Sequence, residues 1–365
     1  MHVAAAGHPC HTRLLEIELV AAAEGRLLAR GAIVDVRKCG FVPMLSDIQN
    51  AGFVHHMRIE LDVDAATRRV DDMRVEQPYV AVEPSPRTDG ECCRDPRERL
   101  LALAGERLAP GFEKRASALF GGGLGCTHLL TLAQTLGRAL PSAIDAEQRA
   151  RGADGAARAA GERIFKRTVV VDGLAAADGA SLELVLQQGD LATAPLAVVD
   201  APLDRFGAQH DVRVHARVEM GGMKLAAVRC AERARTRADF GTARAGAWSE
   251  RDDEVAALAG ERIMPGLGSR LFALYAERPE RRHVLDALLH LGPGFLQCIA
   301  ALWDGPTSAG GAGGGEGIAT VGGMPDACYM WRAGGGLERR RTAYIAEREA
   351  VRRAGPPGAG GGSGE

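Results

Sequence analysis

Two histidines and a cysteine carry most of the chemical potential of this sequence. Cys126 and His128 follow a glycine-rich run, and His55 lies in an alternating stretch far upstream. Apolar residues at i, i+3, i+4 and i+7 spacing predict a helix over 128–139, so Cys126 and His128 are expected at its first turn. There the positive end of the helix dipole lowers a thiol's pKa and favours a neutral imidazole. Such a pair can act as nucleophile and base or as two metal ligands, although the spacing also fits a tight helix entry with a small buried thiol.

The same histidines reappear at a fixed offset of 155 residues. Seven of nine residues are identical between Leu103–Gly111 and Leu258–Gly266, and the same shift places His55 on His210 and His128 on His283. A period this long indicates a whole small domain that is repeated, and two like domains usually pack about an approximate two-fold axis. The second copy replaces Gly-Cys-Thr before the helix with Glu-Arg-Arg. The shared histidines could alternatively just fill polar gaps in each core.

The elements that must position these residues are a strand and a helix in each copy. Residues 53–64 alternate so that His55 shares the inward face with Met57, while Arg58 faces the other way. Each copy therefore reads as an α+β unit, an antiparallel β-sheet followed by C-terminal helices, and the two copies pack as a pseudo-dimer. His55 and His128 could meet where the sheet passes under the helix.

The predicted organisation follows from the repeat and from composition. The segments are a first repeat at 10–144, a partly helical linker at 145–163, a second, degenerate repeat at 164–304, a glycine-rich linker at 305–323, a docking segment or last strand at 324–348 and a disordered tail at 349–365.

Composition limits the classes of protein and of partner. The net charge of −2 gives no bias toward nucleic acid, and no long apolar run suggests a membrane span. The eight cysteines form no Cys-x-x-Cys pair, so neither a disulfide framework nor a zinc ribbon follows. The start of the sequence lacks the pattern of a signal peptide, so we expect a cytoplasmic protein. The sequence is also compatible with a homo-oligomer.

Several motifs resemble those of a known bacterial family, the domain of unknown function 2889. They are Arg13 in a His-Thr-Arg strand, His55 followed by x-Met, Pro-Gly-Phe at 110–112, Gly-Cys-Thr-His-Leu at 125–129 and Cys-Tyr-x-Trp-Arg at 328–332. The resemblance covers most of 10–140 and 326–336. Members of this family are usually single-domain, so the duplicated form here departs from the family pattern, and the resemblance implies an association with bacteria that degrade aromatic and CoA-linked compounds. The family's His-Asp-Met is His-His-Met here.

The leading hypothesis is a cofactor-independent lyase of the decarboxylase type that acts on a small aromatic acid. His55 and His128 would transfer protons, with Cys126 beside them, and an arginine would hold the substrate's carboxylate. No metal and no cofactor is expected under this hypothesis. The candidate substrate-binding residues are Arg13, Arg58, Phe53, Phe120 and Trp331.

Two other hypotheses stay open. Cys126, His128 and His55 or His56 could bind zinc or iron, in a hydrolase or a metal-delivery protein. The duplicated chain could also be a non-catalytic pseudo-dimeric partner protein.

Overall fold

The strands and helices are defined by a computed structural model, which describes residues 7–23, 25–44, 47–154, 157–239, 246–302 and 326–354. The strands are β1 His8–Ala21, β2 Arg26–Arg37, β3 Val42–Met44, β4 Asp47–Gln49, β5 Gly52–Asp64, β6 Val70–Tyr79, β7 Arg163–Ala175, β8 Ser181–Thr193, β9 Phe206–Glu219, β10 Lys224–Thr236 and β11 Ser249–Glu250. The α-helices are α1 Arg97–Leu101, α2 Phe112–Phe120, α3 Thr127–Asp154, α4 Asp252–Val255, α5 Leu267–Tyr275, α6 Arg282–Leu288, α7 Leu291–Ala301 and α8 Gly336–Ala354.

One antiparallel sheet of nine strands organises the described part of the chain. Its order is β11-β10-β9-β8-β7-β1-β2-β5-β6, while β3 and β4 form a separate hairpin. The long strands alternate between buried apolar residues and partly exposed polar ones, which is the pattern of a sheet with one covered face. On the other face, charged residues of neighbouring strands pair, as in Lys166 with Glu16 and Arg30 with Glu60. The expected α+β class with an antiparallel sheet is confirmed.

The strands of the two halves join into a single sheet through β1 and β7. These strands pair antiparallel along most of their length, with Leu15 opposite Val169. Because this pairing hydrogen-bonds the two halves edge to edge, their apolar residues form one core. Leu15 and Met57 of the first half and Val171 and Phe295 of the second belong to this core.

Helices cover the inward face of the sheet. A Cβ at Gly31 of β2 would lie 2.8 Å from Leu132 of α3, and a Cβ at Gly294 of α7 would lie 2.7 Å from Val171 of β7. These close approaches require glycine and bring α3 and α7 directly onto the strands.

Three elements differ from what the sequence patterns predict. Helix α3 continues past residue 139 to Asp154 with Pro141 inside it, so it occupies much of the predicted linker. Helix α8 extends to Ala354, into the predicted disordered tail. The aromatic run near 329–331 is a short 3₁₀ helix, so the expectation of a last strand there is wrong. The predicted glycine-rich linker 305–323 lies outside the described residues, and the domain boundaries stay a prediction.

None of the helices in the described part of the chain has both the length and the apolar composition that crossing a lipid bilayer requires.

Candidate functional site

Asp35 lies at the centre of the site, fully buried on the inward face of β2. Its Oδ1 accepts hydrogen bonds from His11 Nε2 at 2.9 Å and from Arg13 Nε at 2.9 Å. Arg13 Nη2 donates to Oδ2 at 3.1 Å, which makes the arginine contact bidentate. A buried carboxylate needs such partners, and together they fix its orientation.

His55 and His128 approach the same carboxylate from the strand and from the helix. Oδ2 of Asp35 lies 3.3 Å from His128 Nε2 and 3.7 Å from His55 Nδ1. The two imidazole rings are 3.7 Å apart between centroids, at an angle of 35°. The prediction that an inward histidine of the sheet meets the histidine at the start of the helix is confirmed.

A β-bulge at Val54 sets the position of His55. Asp35 pairs with His55, but the next residue of β2, Val36, pairs with Phe53, so Val54 is an extra residue in β5. Bulges bend a strand and re-aim its side chains, and they are common beside active sites. In the second half the register runs unbroken through Asp190 with His210 and Leu191 with Gln209.

Burial keeps the two imidazoles neutral. Desolvation lowers the pKa of His55 well below its usual value, and it also lowers the pKa of His128 despite the nearby Asp35. The Arg13 charge, the hydrogen bond from His11 and the close approach of His128 outweigh the burial of Asp35, so its pKa is also well below the usual range. At neutral pH the carboxylate of Asp35 is therefore charged, and the imidazoles of His55 and His128 are uncharged.

The nitrogens that face Asp35 Oδ2 are not satisfied by hydrogen bonds. His55 Nδ1 and His128 Nε2 are both buried and form no hydrogen bond, and one donor atom each from Asp35, His55 and His128 lies within 4.8 Å of the others. Buried polar atoms are normally paired, so unpaired ones indicate an unseen ligand, water or ion. Two imidazoles and a carboxylate in this arrangement suit a divalent transition metal.

Cys126 lies beside the site rather than in it. Its Sγ is 3.6 Å from His128 Nδ1 and 3.6 Å from Met57 Sδ. Burial raises the pKa of this thiol to about 12, so the prediction that the helix start lowers it is wrong. Cys126 can orient His128 through Nδ1, the ring nitrogen that faces away from Asp35.

The predicted substrate-binding residues are dispersed. Arg13 lies in the site, but its guanidinium already donates two hydrogen bonds to Asp35. Arg58 lies on the opposite face of β5, half-exposed beside His56 and Glu76. Phe53 is exposed near the site, whereas Phe120 is buried in the core under Gly125 and Trp331 packs on the core from the C-terminal segment.

The second half contains a similar set of side chains with different pairing. Arg167 donates hydrogen bonds from Nε and Nη2 to the two carboxylate oxygens of Asp190, each at 2.7 Å. Asp190 Oδ2 also lies 3.1 Å from His283 Nδ1. His210 stacks on His283 at 3.8 Å between centroids and pairs with Glu232 at 3.1 Å. Each imidazole thus has a carboxylate of its own, and the side chains of His210 and His283 are 21% and 33% exposed, against 8% for both His55 and His128.

The central residue, Asp35, is absent from the residues predicted from the sequence. The offset of 155 that relates the histidines also relates Asp35 to Asp190, and this signal could have identified it. His11 was missed as well, and it has no such counterpart.

Comparison with curated proteins and with solved structures gives no match. One family model does match, over residues 11–141, and its description is "Protein of unknown function (DUF2889)". The match spans β1, β2, β5 and the start of α3, which supply His11, Arg13, Asp35, His55 and His128. This part of the chain belongs to the DUF2889 family.

Proposed function

We propose that the protein is a mononuclear metalloenzyme whose ion is bound by Asp35, His55 and His128. The observation that carries this proposal is the pair of buried imidazole nitrogens that face one carboxylate oxygen without a hydrogen bond. Because both rings are neutral, their lone pairs can bind a cation without first losing a proton. Zinc and ferrous iron are the two ions that this set of donors suits best.

The surrounding residues fit the roles that metal ligands require. His11 and Arg13 hold Oδ1 of Asp35, while Oδ2 accepts one hydrogen bond from Arg13 Nη2 and faces the imidazoles of His55 and His128. Cys126 faces Nδ1 of His128 and fixes the orientation of that ring. Such outer partners set the geometry and affinity of a metal site.

Three protein ligands leave coordination positions for water and substrate. The reaction class that follows most directly is hydrolysis of a small substrate by a metal-activated water, because it needs no further cofactor.

Elemental analysis of the purified protein, reconstituted with zinc or ferrous iron and then desalted, tests the metal site. We expect about one ion per chain in the wild type and a loss of affinity of at least about 100-fold in His55→Gln and His128→Gln. His210→Gln and His283→Gln are matched controls that should keep the ion, because each of these rings already pairs with a carboxylate. Cys126→Ser should keep it too.

Circular dichroism and a single urea transition would show that the variants are folded. A wild type without stoichiometric metal after reconstitution, or His55→Gln and His128→Gln variants that bind it as well as the wild type, would contradict the proposal.

The cofactor-independent lyase acting on a small aromatic acid is the second candidate. It is favoured by the contact of two neutral imidazoles beside a carboxylate, a geometry in which protons can pass between groups. Turnover of phenolic acids by chelator-treated, metal-free protein that is lost in both His55→Gln and His128→Gln would favour this candidate over the metal centre. A non-catalytic partner protein would turn over none of them.

We also propose that the two halves arose by tandem duplication and pack as a pseudo-dimer. Support comes from the register of β1 with β7, where Arg13 lies opposite Val171 and Arg167 lies opposite Ile17. Arg13 and Arg167 occupy like positions beside Asp35 and Asp190, and the reciprocal pairing is what a two-fold axis would give. The cytoplasm stays the proposed compartment, because the spacing of the cysteines in the sequence does not suggest a disulfide framework.

A further inference from the structure

Arg37 is a buried cation that has only neutral partners. Its side chain lies on the inward face of β2, and the residue is 3% exposed. Nη1 donates to the carbonyl of Gln49 at 2.8 Å, and Nη2 donates to Oε1 of Gln49 at 3.0 Å. Its Nε is buried and forms no hydrogen bond.

The other buried arginines of the described chain are paired with acids. Arg13 pairs with Asp35, Arg158 with Glu147 and Arg167 with Asp190. Among the residues that the structure describes, no carboxylate forms an ion pair with Arg37. A buried charge without a counter-charge is strongly unfavourable, so this position indicates an anion that comes from outside the chain.

A second unsatisfied nitrogen lies next to Arg37. His11 is directly opposite Arg37 in the β1–β2 ladder, so both side chains are on the inward face. His11 is 1% exposed, and its Nδ1 forms no hydrogen bond, while its Nε2 is held by Asp35. Because Nε2 donates to Asp35, Nδ1 of a neutral His11 ring is a hydrogen-bond acceptor, so the anion-binding donor at this place is Arg37.

We propose that Arg37 binds the carboxylate of the substrate. This inference rests on the proposed function for the reacting end, which would lie at Asp35, His55 and His128. Arg37 is two residues from Asp35 on the same face of a strand, which separates their Cα atoms by about 7 Å. The substrate class is thus a small organic acid whose reacting group lies a few bonds from its carboxylate.

The carboxylate is favoured over other anions by the shape of the guanidinium. Its planar edge presents parallel N–H donors to the two oxygens of a carboxylate, as Arg13 does with Asp35. Binding of the substrate's carboxylate, which the sequence suggests for Arg13 or Arg58, is thus assigned to Arg37. Arg13 is occupied by Asp35, and Arg58 lies on the other face.

Binding of benzoate and of inorganic phosphate to chelator-treated protein tests the inference without the metal. We expect benzoate to bind the wild type in calorimetry and to raise its Tm, and Arg37→Gln to weaken that binding about tenfold or more. Arg37→Lys keeps the charge but loses the planar fork, so it should bind benzoate with intermediate affinity. Arg58→Gln, on the opposite face, is the control that should bind as the wild type does.

Three results would overturn the inference. They are wild-type protein that does not bind benzoate at millimolar concentration, Arg37→Gln and Arg37→Lys that both bind it normally, and phosphate that binds more tightly than benzoate. Absence of metal in the wild type would refute the proposed centre but leave this result readable, because the benzoate experiment uses metal-free protein. Conversely, normal metal content together with benzoate binding that is unchanged in the Arg37 variants would refute only the carboxylate site.

Discussion

At the scale of single residues, the environment of Cys126 decides its role. The thiol is buried against Met57 Sδ, and burial raises its pKa to about 12. The thiolate form is therefore scarce at neutral pH, which argues against the nucleophilic role that the place of Cys126 at a helix start suggests. Its contact with His128 makes it a positioning residue instead.

Alkylation of the native protein checks this assignment. With iodoacetamide at pH 8 we expect half-buried Cys39 to be modified first, while Cys126 stays unmodified, because the reagent needs an exposed thiolate. Peptide mass spectrometry reads out each site, and urea-unfolded protein, in which all cysteines react, is the control. Rapid labelling of native Cys126 would contradict the assignment.

The alternation of inward and outward residues along β2 shows how far the sequence alone can identify the site residues. Leu27, Ala29 and Ile33 are buried on one face, and Asp35 and Arg37 continue the same phase. Polar residues on an apolar phase indicate a buried polar site, so their involvement was predictable. Their partners were not, because His11, His55 and His128 approach from other elements, and local spacing gives no contact between distant segments.

At the scale of elements, the entry to α3 depends on the absence of a side chain at Gly125. A Cβ there would lie 2.4 Å from the ring of Phe120 and 2.5 Å from its carbonyl oxygen. The backbone carbonyl of Gly125 also accepts a hydrogen bond from Tyr329, which ties the C-terminal segment to the start of the helix. The glycine is therefore required for the packing that brings Cys126 and His128 to the sheet.

Gly125→Ala should destabilise the protein by about 1–3 kcal/mol through overpacking against Phe120. Urea unfolding followed by circular dichroism measures the change. Gly221→Ala is a suitable control, since a Cβ at Gly221 meets nothing within 4 Å, and it should alter stability little. Equal stability of the two variants would show that the entry can relax.

The sequence predicts the existence of this helix better than its length. Apolar periodicity fixes its start near His128, as found, but Pro141 and the polar residues after it suggest an end near 139. The helix continues because buried residues such as Leu140 and Ile144 still pack on the core. Tertiary packing of this kind overrides local propensity and leaves no short-range signal.

At the scale of the whole molecule, His290 is a deeply buried histidine whose burial couples the stability of the fold to pH. It is 1% exposed at the start of α7, and burial lowers its pKa to about 3, with Arg138 and Arg167 acting in the same direction and Asp286 opposing them. In the unfolded chain its pKa is about 6.5. Between these values the unfolded state binds a proton that the native state does not, so stability falls as pH falls below about 6.5.

From this residue alone we expect a loss of about 2 kcal/mol between pH 6.5 and pH 5. Urea unfolding of the wild type and of His290→Gln across this range measures the difference, and the variant should have the shallower slope. Gly221→Ala, which removes no titratable group, should keep the slope of the wild type. Identical slopes for the wild type and His290→Gln would show that His290 is protonated in the native state.

The continuous sheet was beyond sequence prediction for a simple reason. The repeat predicts two like units and a two-fold relation, but which edges meet depends on the exposed backbone of β1 and β7 rather than on side-chain pattern. The alternation of apolar and polar residues along a strand is the same whether the edge of that strand is exposed or paired with another strand.

The pairing of β1 with β7 inside one chain affects how the protein behaves when it is diluted. Two separate chains that met along these edges would dissociate at low concentration, and β1, which supplies His11 and Arg13, would then lose its neighbour on one side. Covalent linkage replaces that encounter with an intramolecular one at high effective concentration. The strand that holds Asp35 in place is thus supported equally well in a scarce protein and in an abundant one.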